Sequence, residues 1–63
     1  MKLWIARNSD NTLELFTVKP KTFYEEGIGQ YWAGGYAYFL PANQFPEVTF
    51  ENSPMEVELV IKK

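Results

Sequence analysis

The chain of 63 residues contains no cysteine and no histidine. The absence of cysteine excludes disulfides and thiolate metal sites, and the absence of histidine removes the commonest metal ligand and general base. A chain this short buries only about 60% of the surface that its unfolded form exposes, so it usually needs staples or a partner chain. We expect one small domain, 1–63, with no metal and no cofactor.

The chain also has little excess of either charge, because six basic and eight acidic residues leave a net charge of −2. A nucleic-acid-binding domain should present a basic patch or stripe, so double-stranded nucleic acid is not an expected partner. No apolar run approaches the ~20 residues of a membrane helix, and the N-terminus lacks the apolar region of a signal peptide. The sequence therefore predicts no membrane partner and a cytoplasmic location.

Aromatic side chains are what the sequence has in quantity, with five Phe, four Tyr and two Trp. Seven of these eleven rings lie between positions 30 and 50. Each ring buries about 150–250 Å², so an aromatic core is one way for such a chain to fold without staples. Self-association is the other way, and the sequence does not choose between them.

The first 18 residues predict an antiparallel β-hairpin. Leu3, Ile5 and Arg7 alternate onto one face of the first strand. Asp10-Asn11 suits a two-residue type I′ turn, because both residues tolerate positive φ. Counting outward from that turn predicts that Arg7 pairs with Glu14 and Ile5 with Phe16.

The middle of the chain predicts a loop over 21–30 and then one strand over 31–40. The pair Gly34-Gly35 indicates a bulge within this strand. An alternative interpretation makes Ala-Gly-Gly-Tyr the turn of a second hairpin with very short arms.

The last third predicts a short helical turn at 41–46, a turn over 51–54 and a final strand over 55–61. Pro46 disfavours the helical region for Phe45 and so ends the helical turn. The predicted fold is mainly β, a single small curled antiparallel sheet of about four strands. Apolar residues occur on both faces of this sheet, so the 19–30 loop, the 41–50 segment or a second copy must cover the spare face.

Few residues in this sequence are suited to catalysis, since nucleophilic triads need a base that is most often histidine. The remaining catalytic candidate is a carboxylate pair drawn from Asp10, Glu14, Glu47 and Glu51. Scattered acidic residues of this kind are normally a solvated surface, so we expect no enzyme.

Trp32, Tyr36 and Tyr38 are the candidate binding residues, because they fall on one face of the predicted central strand. Such a row of rings stacks bases or sugars in some proteins, although in a chain this small it is more often hydrophobic core. Tyr and Trp are also enriched at protein interfaces. We therefore expect a protein-interaction module that binds a protein partner or itself. The alternative is an aromatic-platform binder of carbohydrate or single-stranded nucleic acid.

Parts of the sequence resemble a group of short uncharacterised proteins predicted in gut Bacteroidetes and their bacteriophages. The resemblance lies in 1–16, in Lys19-Pro20, in Leu40-Pro41 and in 45–54 leading into 56–59. In that group the turn usually reads Asp-Gly, where this chain has Asp10-Asn11. The similarity covers a little over half of the chain and does not extend to 21–39. It implies a genomic setting but no activity, and it favours a small phage or mobile-element accessory protein that binds a host or phage protein.

Overall fold

The computed structural model describes residues 1–62. This part of the chain is mainly β, with six strands and no helix: β1 (Lys2–Arg7), β2 (Leu13–Phe16), β3 (Lys21–Glu25), β4 (Gly29–Ala33), β5 (Ala37–Leu40) and β6 (Met55–Glu58). Four of them form an antiparallel sheet in the order β5-β2-β1-β6, and β3 pairs with β4 in a second sheet. The predicted four-stranded antiparallel sheet is confirmed, and the two-stranded sheet is an addition to it.

The N-terminal hairpin exists, but its predicted register is wrong by one residue. Ala6 lies opposite Glu14, and Arg7 lies opposite Leu13. The loop has three residues, because Asn8 N donates to the Thr12 carbonyl at 2.8 Å and closes it. Within the loop Asn11 adopts φ 76°, as a three-residue hairpin loop that ends in a left-handed residue requires.

This register gives the four-stranded sheet two faces, which we call the front face and the back face. The front face carries the buried side chains of Leu3, Ile5 and Leu13, and the back face carries Ala6 and Phe16. Both faces are apolar, as the alternation in β1 and β2 predicts. The 41–50 segment covers the front face, where Val48 joins Ile5 and Leu13 in the hydrophobic core.

The segment after β5 was predicted to contain a short helical turn at 41–46, and this detail is wrong. Instead the chain makes successive tight turns over 41–44, 45–48 and 50–53. Each is closed by a hydrogen bond from the N–H of its fourth residue to the carbonyl of its first, at 3.0, 3.0 and 3.3 Å. The turn predicted over 51–54 belongs to this series. The final strand is shorter than predicted and ends at Glu58.

Arg7, the single arginine of the chain, holds this series of turns to the sheet. It is buried, and its guanidinium donates to backbone carbonyls: Nε to Val48 at 2.6 Å, Nη1 to Asn11 and Ala42 at 3.0 Å each, and Nη2 to Gln44 at 3.1 Å and Phe45 at 3.2 Å. These bonds occupy the donors of a guanidinium, of which there are five. The sequence places Glu14 opposite Arg7, but in the structure the guanidinium binds neutral carbonyls instead.

The predicted loop over 21–30 is also wrong, because it contains β3 and most of the β3–β4 hairpin. Asn8 ties this hairpin to the back face. Its side chain donates to Glu14 Oε2 at 2.9 Å, and its Oδ1 accepts the backbone N–H of Trp32 at 2.7 Å. Ser9 adds a bond from its hydroxyl to the Gln30 carbonyl at 2.7 Å. Segments from within the chain thus lie over both faces of the sheet.

Candidate functional site

The three candidate binding residues do not form the predicted row. Trp32 belongs to β4 in the two-stranded sheet, whereas Tyr36 precedes β5 and Tyr38 lies within it. The predicted single strand over 31–40 is wrong, because the chain leaves one sheet and enters the other at Gly34-Gly35. The alternative second hairpin is wrong as well, since β4 pairs with β3 and β5 pairs with β2.

Gly35 explains why the chain turns at this point. It adopts φ 52°, and a Cβ atom added there would lie 2.6 Å from Cγ2 of Val18. Only glycine fits such a conformation without strain and without a clash. The close approach to Val18 directs the following residues onto β2, so that Tyr36 and Tyr38 lie along the edge of the larger sheet.

Trp32 occupies a structural position between the two sheets. Its ring lies 6.0 Å from that of Phe50, tilted by 48°, and its backbone N–H is bound by Asn8. Its indole Nε1 is the one buried side-chain polar atom within residues 1–62 that has no hydrogen-bond partner. These contacts hold the β3–β4 hairpin against Phe50 and Asn8.

Tyr36 and Tyr38 are exposed, and so is Phe39, which lies within β5. Their exposed fractions are 77%, 58% and 73%. We call residues 36–39 the aromatic edge, because β5 is an outer strand of the four-stranded sheet and no other strand within residues 1–62 pairs with its far side. Sequence reasoning missed Phe39, although the uncharged run Tyr-Ala-Tyr-Phe was a visible signal for an apolar strand edge.

Some backbone groups at the aromatic edge are accessible to another strand, as its side chains are accessible to solvent. Thr17 N donates to the Tyr36 carbonyl at 3.2 Å, and the register pairs Leu15 with Tyr38. Hydrogen-bonded pairs alternate along an antiparallel ladder, so Tyr36 and Tyr38 direct their N–H and C=O groups toward β2. Ala37 and Phe39 direct theirs away from it, and these are the groups that another strand can bind.

A second apolar surface lies on the front face. It is an open groove of about 450 Å³ beside β1 and β6, with these apolar lining residues: Leu3, Ile5, Leu15, Leu40, Phe45, Val57 and Leu59. Phe45 and Leu59 are its exposed members. The 41–50 segment covers only part of the front face, and the groove is the remainder.

A cleft of about 380 Å³ on the back face holds two of the four carboxylates named from the sequence, Asp10 and Glu14. Both are already bound, Glu14 by Asn8 and Asp10 by Thr12, whose hydroxyl donates at 2.6 Å. The Thr12 hydroxyl and backbone N–H lower the pKa of Asp10 below its usual value of 3.8. A general acid needs a raised pKa, so this carboxyl is suited to stabilising the loop rather than to catalysis.

Residues 1–62 contain neither a cluster of candidate metal ligands nor a helix that could span a membrane. No group of three or more acidic side chains is placed to hold a metal ion. No helix in this range is long and apolar enough to cross a membrane.

The fold and the site define a small antiparallel β protein with one uncharged, aromatic strand edge open to solvent. Comparison with protein-family models, with curated proteins and with solved structures found no match for this chain.

Proposed function

We propose that this protein is a non-enzymatic protein-interaction module that binds through its aromatic edge. The observation that carries the proposal is the exposure of Tyr36, Tyr38 and Phe39 at an outer strand whose backbone groups at Ala37 and Phe39 have no partner within residues 1–62. Soluble proteins usually protect such edges with charge, proline or a covering loop. This edge has none of these protections over 36–40, which favours a binding role for it.

Strand addition is the binding mode that this surface supports best. In that mode an extended segment of the partner pairs with the edge, main-chain hydrogen bonds supply affinity and alternate side chains supply specificity. The side chains here are aromatic, and aromatic residues are enriched in protein interfaces. The partner class is therefore a protein with an extended, uncharged segment.

The setting we propose is the cytoplasm of a gut Bacteroidetes bacterium or of a cell infected by one of its bacteriophages. It is supported by the resemblance of 1–16, Lys19-Pro20, Leu40-Pro41, 45–54 and 56–59 to the group of short proteins predicted there. In this setting the protein is a phage or mobile-element accessory protein, and its partner is a host or phage protein. The proposal includes no cofactor, no membrane and no double-stranded nucleic acid.

The alternative is an aromatic-platform binder of carbohydrate or single-stranded nucleic acid. The exposed rings of Tyr36 and Tyr38 support this alternative. Two observations weigh against it. Trp32 lies in the other sheet, so there is no row of three rings. Binding of single-stranded nucleic acid also needs a positive groove, and none of the residues lining the back-face cleft or the front-face groove is basic.

An affinity pull-down from lysate of the native host, with and without induction of phage or mobile elements, tests the proposal. The bait is compared with a Tyr36→Ser, Tyr38→Ser double variant and with Tyr24→Ser, a matched control at a tyrosine on β3 that is 71% exposed. We expect one specific protein that the wild type and Tyr24→Ser retain and the double variant loses. Circular dichroism checks that each variant is folded.

Equal retention by all three baits would contradict a role for the aromatic edge. The same baits applied to glycan and oligonucleotide arrays test the alternative. Selective binding there, lost in the double variant, would replace the proposed function.

A further inference from the structure

The aromatic edge is complementary to itself. Ala37 and Phe39 carry the outward-facing backbone groups, and they lie two residues apart on either side of Tyr38. If two copies align their β5 strands antiparallel with Tyr38 opposite Tyr38, Ala37 of each copy faces Phe39 of the other. Both of these pairs are then hydrogen-bonded pairs, each exchanging two N–H···O bonds. This register uses all the outward groups of β5.

We propose that a second copy of this chain occupies the aromatic edge, joined by β5 to β5 about a two-fold axis at Tyr38. The inference rests on the proposed function and names its partner. The arrangement is isologous, which is the commonest symmetry of protein dimers. It extends each four-stranded sheet into one sheet of eight strands.

Side-chain sizes favour this register. The ring of Phe39, exposed on the back face, lies opposite the small Ala37 of the second copy, so a large residue meets a small one twice. On the front face the two Tyr38 rings meet in a non-hydrogen-bonded pair, where side chains approach most closely. A different register, with Phe39 opposite Phe39, would pair Ala37 with Pro41. Pro41 has no N–H to donate, so this register is less favourable.

Charge distinguishes β5 from the other outer strand of the same sheet. Residues 36–40 carry no charge. On β6, Met1 and Leu59 exchange backbone bonds, so the outward groups belong to Glu56 and Glu58. Two β6 strands aligned about Val57 would set Glu56 of each copy opposite Glu58 of the other, and like charges directly opposite are destabilising.

Both strands of the smaller sheet are outer strands, but β4 is bonded to Asn8 and Ser9, so β3 is the main rival edge. Two β3 strands aligned about Phe23 would set Lys21 opposite Glu25, which is favourable. However, Phe23 is already stacked on Tyr31, with ring centroids 6.0 Å apart. An isolated two-stranded sheet is also a weaker support for added strands than a four-stranded one. These differences place the second copy on β5.

The area available implies a reversible dimer. Three rings from each copy supply at most roughly 900–1,500 Å² of buried surface. Stable specific interfaces begin at about 1,200 Å², so the association is at the weak end of that class. We therefore expect a monomer–dimer equilibrium that shifts with protein concentration.

Single-cysteine variants test the register, because the natural chain has no cysteine to interfere. In the proposed dimer Tyr38→Cys places two thiols on the axis, where Cα atoms of a non-hydrogen-bonded pair lie about 4.5 Å apart, within disulfide reach. Tyr36→Cys is the matched control, because the two copies of residue 36 are then four residues apart along the strands, about 13 Å. Phe23→Cys reports on β3.

We expect mild oxidation to convert Tyr38→Cys to a disulfide-linked dimer at least about tenfold faster than the other two variants. A faster reaction of Phe23→Cys or of Tyr36→Cys would overturn the proposed arrangement. Because Tyr38→Cys removes a ring, analytical ultracentrifugation of the wild type and of Ala37→Pro gives an independent measurement. Ala37→Pro removes an outward N–H and leaves the bonds to β2 in place.

The expected sedimentation result is a concentration-dependent dimer for the wild type and a folded monomer for Ala37→Pro. A wild type that remains monomeric up to its solubility limit would overturn the homodimer. That failure is separable from failure of the proposed function, because the pull-down can still find a different protein bound at the aromatic edge.

Discussion

Arg7 and Val48 are both buried, and Nε of the arginine donates to the carbonyl of the valine at 2.6 Å. Val48 in turn packs against Ile5 and Leu13 in the core. The same segment that completes the hydrophobic core is therefore fixed by a charged side chain at the end of β1, an inner strand of the sheet. A turn-rich segment has few backbone bonds of its own, and Arg7 supplies the donors that its carbonyls need.

Replacing Arg7 by Met should destabilise the protein by about 3 kcal/mol or more. The substitution keeps an apolar stem but removes the guanidinium donor from the buried carbonyl of Val48 and from the partly buried carbonyls of Asn11, Ala42 and Gln44. A buried carbonyl left without a partner costs about 1–3 kcal/mol. Urea unfolding followed by tryptophan fluorescence measures the change. Lys21→Met, at an exposed position on β3, is the control and should change the free energy of unfolding by less than about 0.5 kcal/mol. A loss below about 1 kcal/mol for Arg7→Met would show that water replaces the guanidinium.

Phe45 should be strained, because it adopts φ 51°, a left-handed conformation that is rare for a bulky residue. Its carbonyl accepts hydrogen bonds from Arg7 and from Val48 N, which together hold the backbone in place. Phe45→Gly and Phe45→Ala both remove the ring, but only the glycine removes the strain. The glycine variant should be the more stable of the two by about 1 kcal/mol in urea unfolding. Equal stabilities would contradict the strain.

The pKa of Asp10 should rise toward 3.8 in a Thr12→Val variant, because the Thr12 hydroxyl is the largest cause of its lowering. The carboxyl carbon shift of Asp10, followed by NMR against pH, measures this directly. A carboxyl with a lowered pKa in the folded state stabilises the fold above its unfolded value of 3.8, and that stabilisation is lost as pH falls through the lowered pKa. Thr22→Val, on exposed β3, should leave the titration of Asp10 unchanged. An identical titration in Thr12→Val would exclude the hydroxyl as the cause.

Gly35→Ala should destabilise the protein by about 1–3 kcal/mol, from both its left-handed backbone and the contact with Val18. Gly27→Ala is a useful comparison, since Gly27 has φ 89° but a Cβ there meets nothing within 4 Å. It should therefore show the backbone cost alone. Adding Val18→Ala to Gly35→Ala should remove the extra destabilisation that Gly35→Ala shows relative to Gly27→Ala. No recovery would mean that the chain can shift at this crossing without cost.

The parts of the fold that follow from strict alternation could be predicted from the sequence. In β1 and β2 the apolar residues alternate, so the strands and the sharing of one face by Leu3, Ile5 and Arg7 were correctly predicted. The register could not be fixed in the same way. A two-residue and a three-residue loop both accept Asp10-Asn11, and a difference of one loop residue moves Phe16 opposite Trp4 instead of Ile5.

The parts that were missed lack a local signal. Every residue of β3 is exposed, so no apolar periodicity indicates a strand there. The division of 31–40 between two sheets depends on the contact of Gly35 with Val18, which lies 17 positions earlier in the chain. Likewise, nothing near Arg7 in the sequence distinguishes an arginine that donates to distant carbonyls from one that pairs with an acidic neighbour. As a result the exposed tyrosines were named, while Trp32 was wrongly grouped with them on one strand.

The backbone bonds between Met1 and Leu59 have a practical consequence for attached sequences. Met1 N donates to the Leu59 carbonyl at 3.3 Å, and Leu59 N donates to the Met1 carbonyl at 2.9 Å. Both ends of the folded unit therefore leave from one corner, across the sheet from β5. A tag, a fluorescent protein or a host loop into which the unit is inserted starts at that corner, and short linkers are enough to join it without obstructing the aromatic edge.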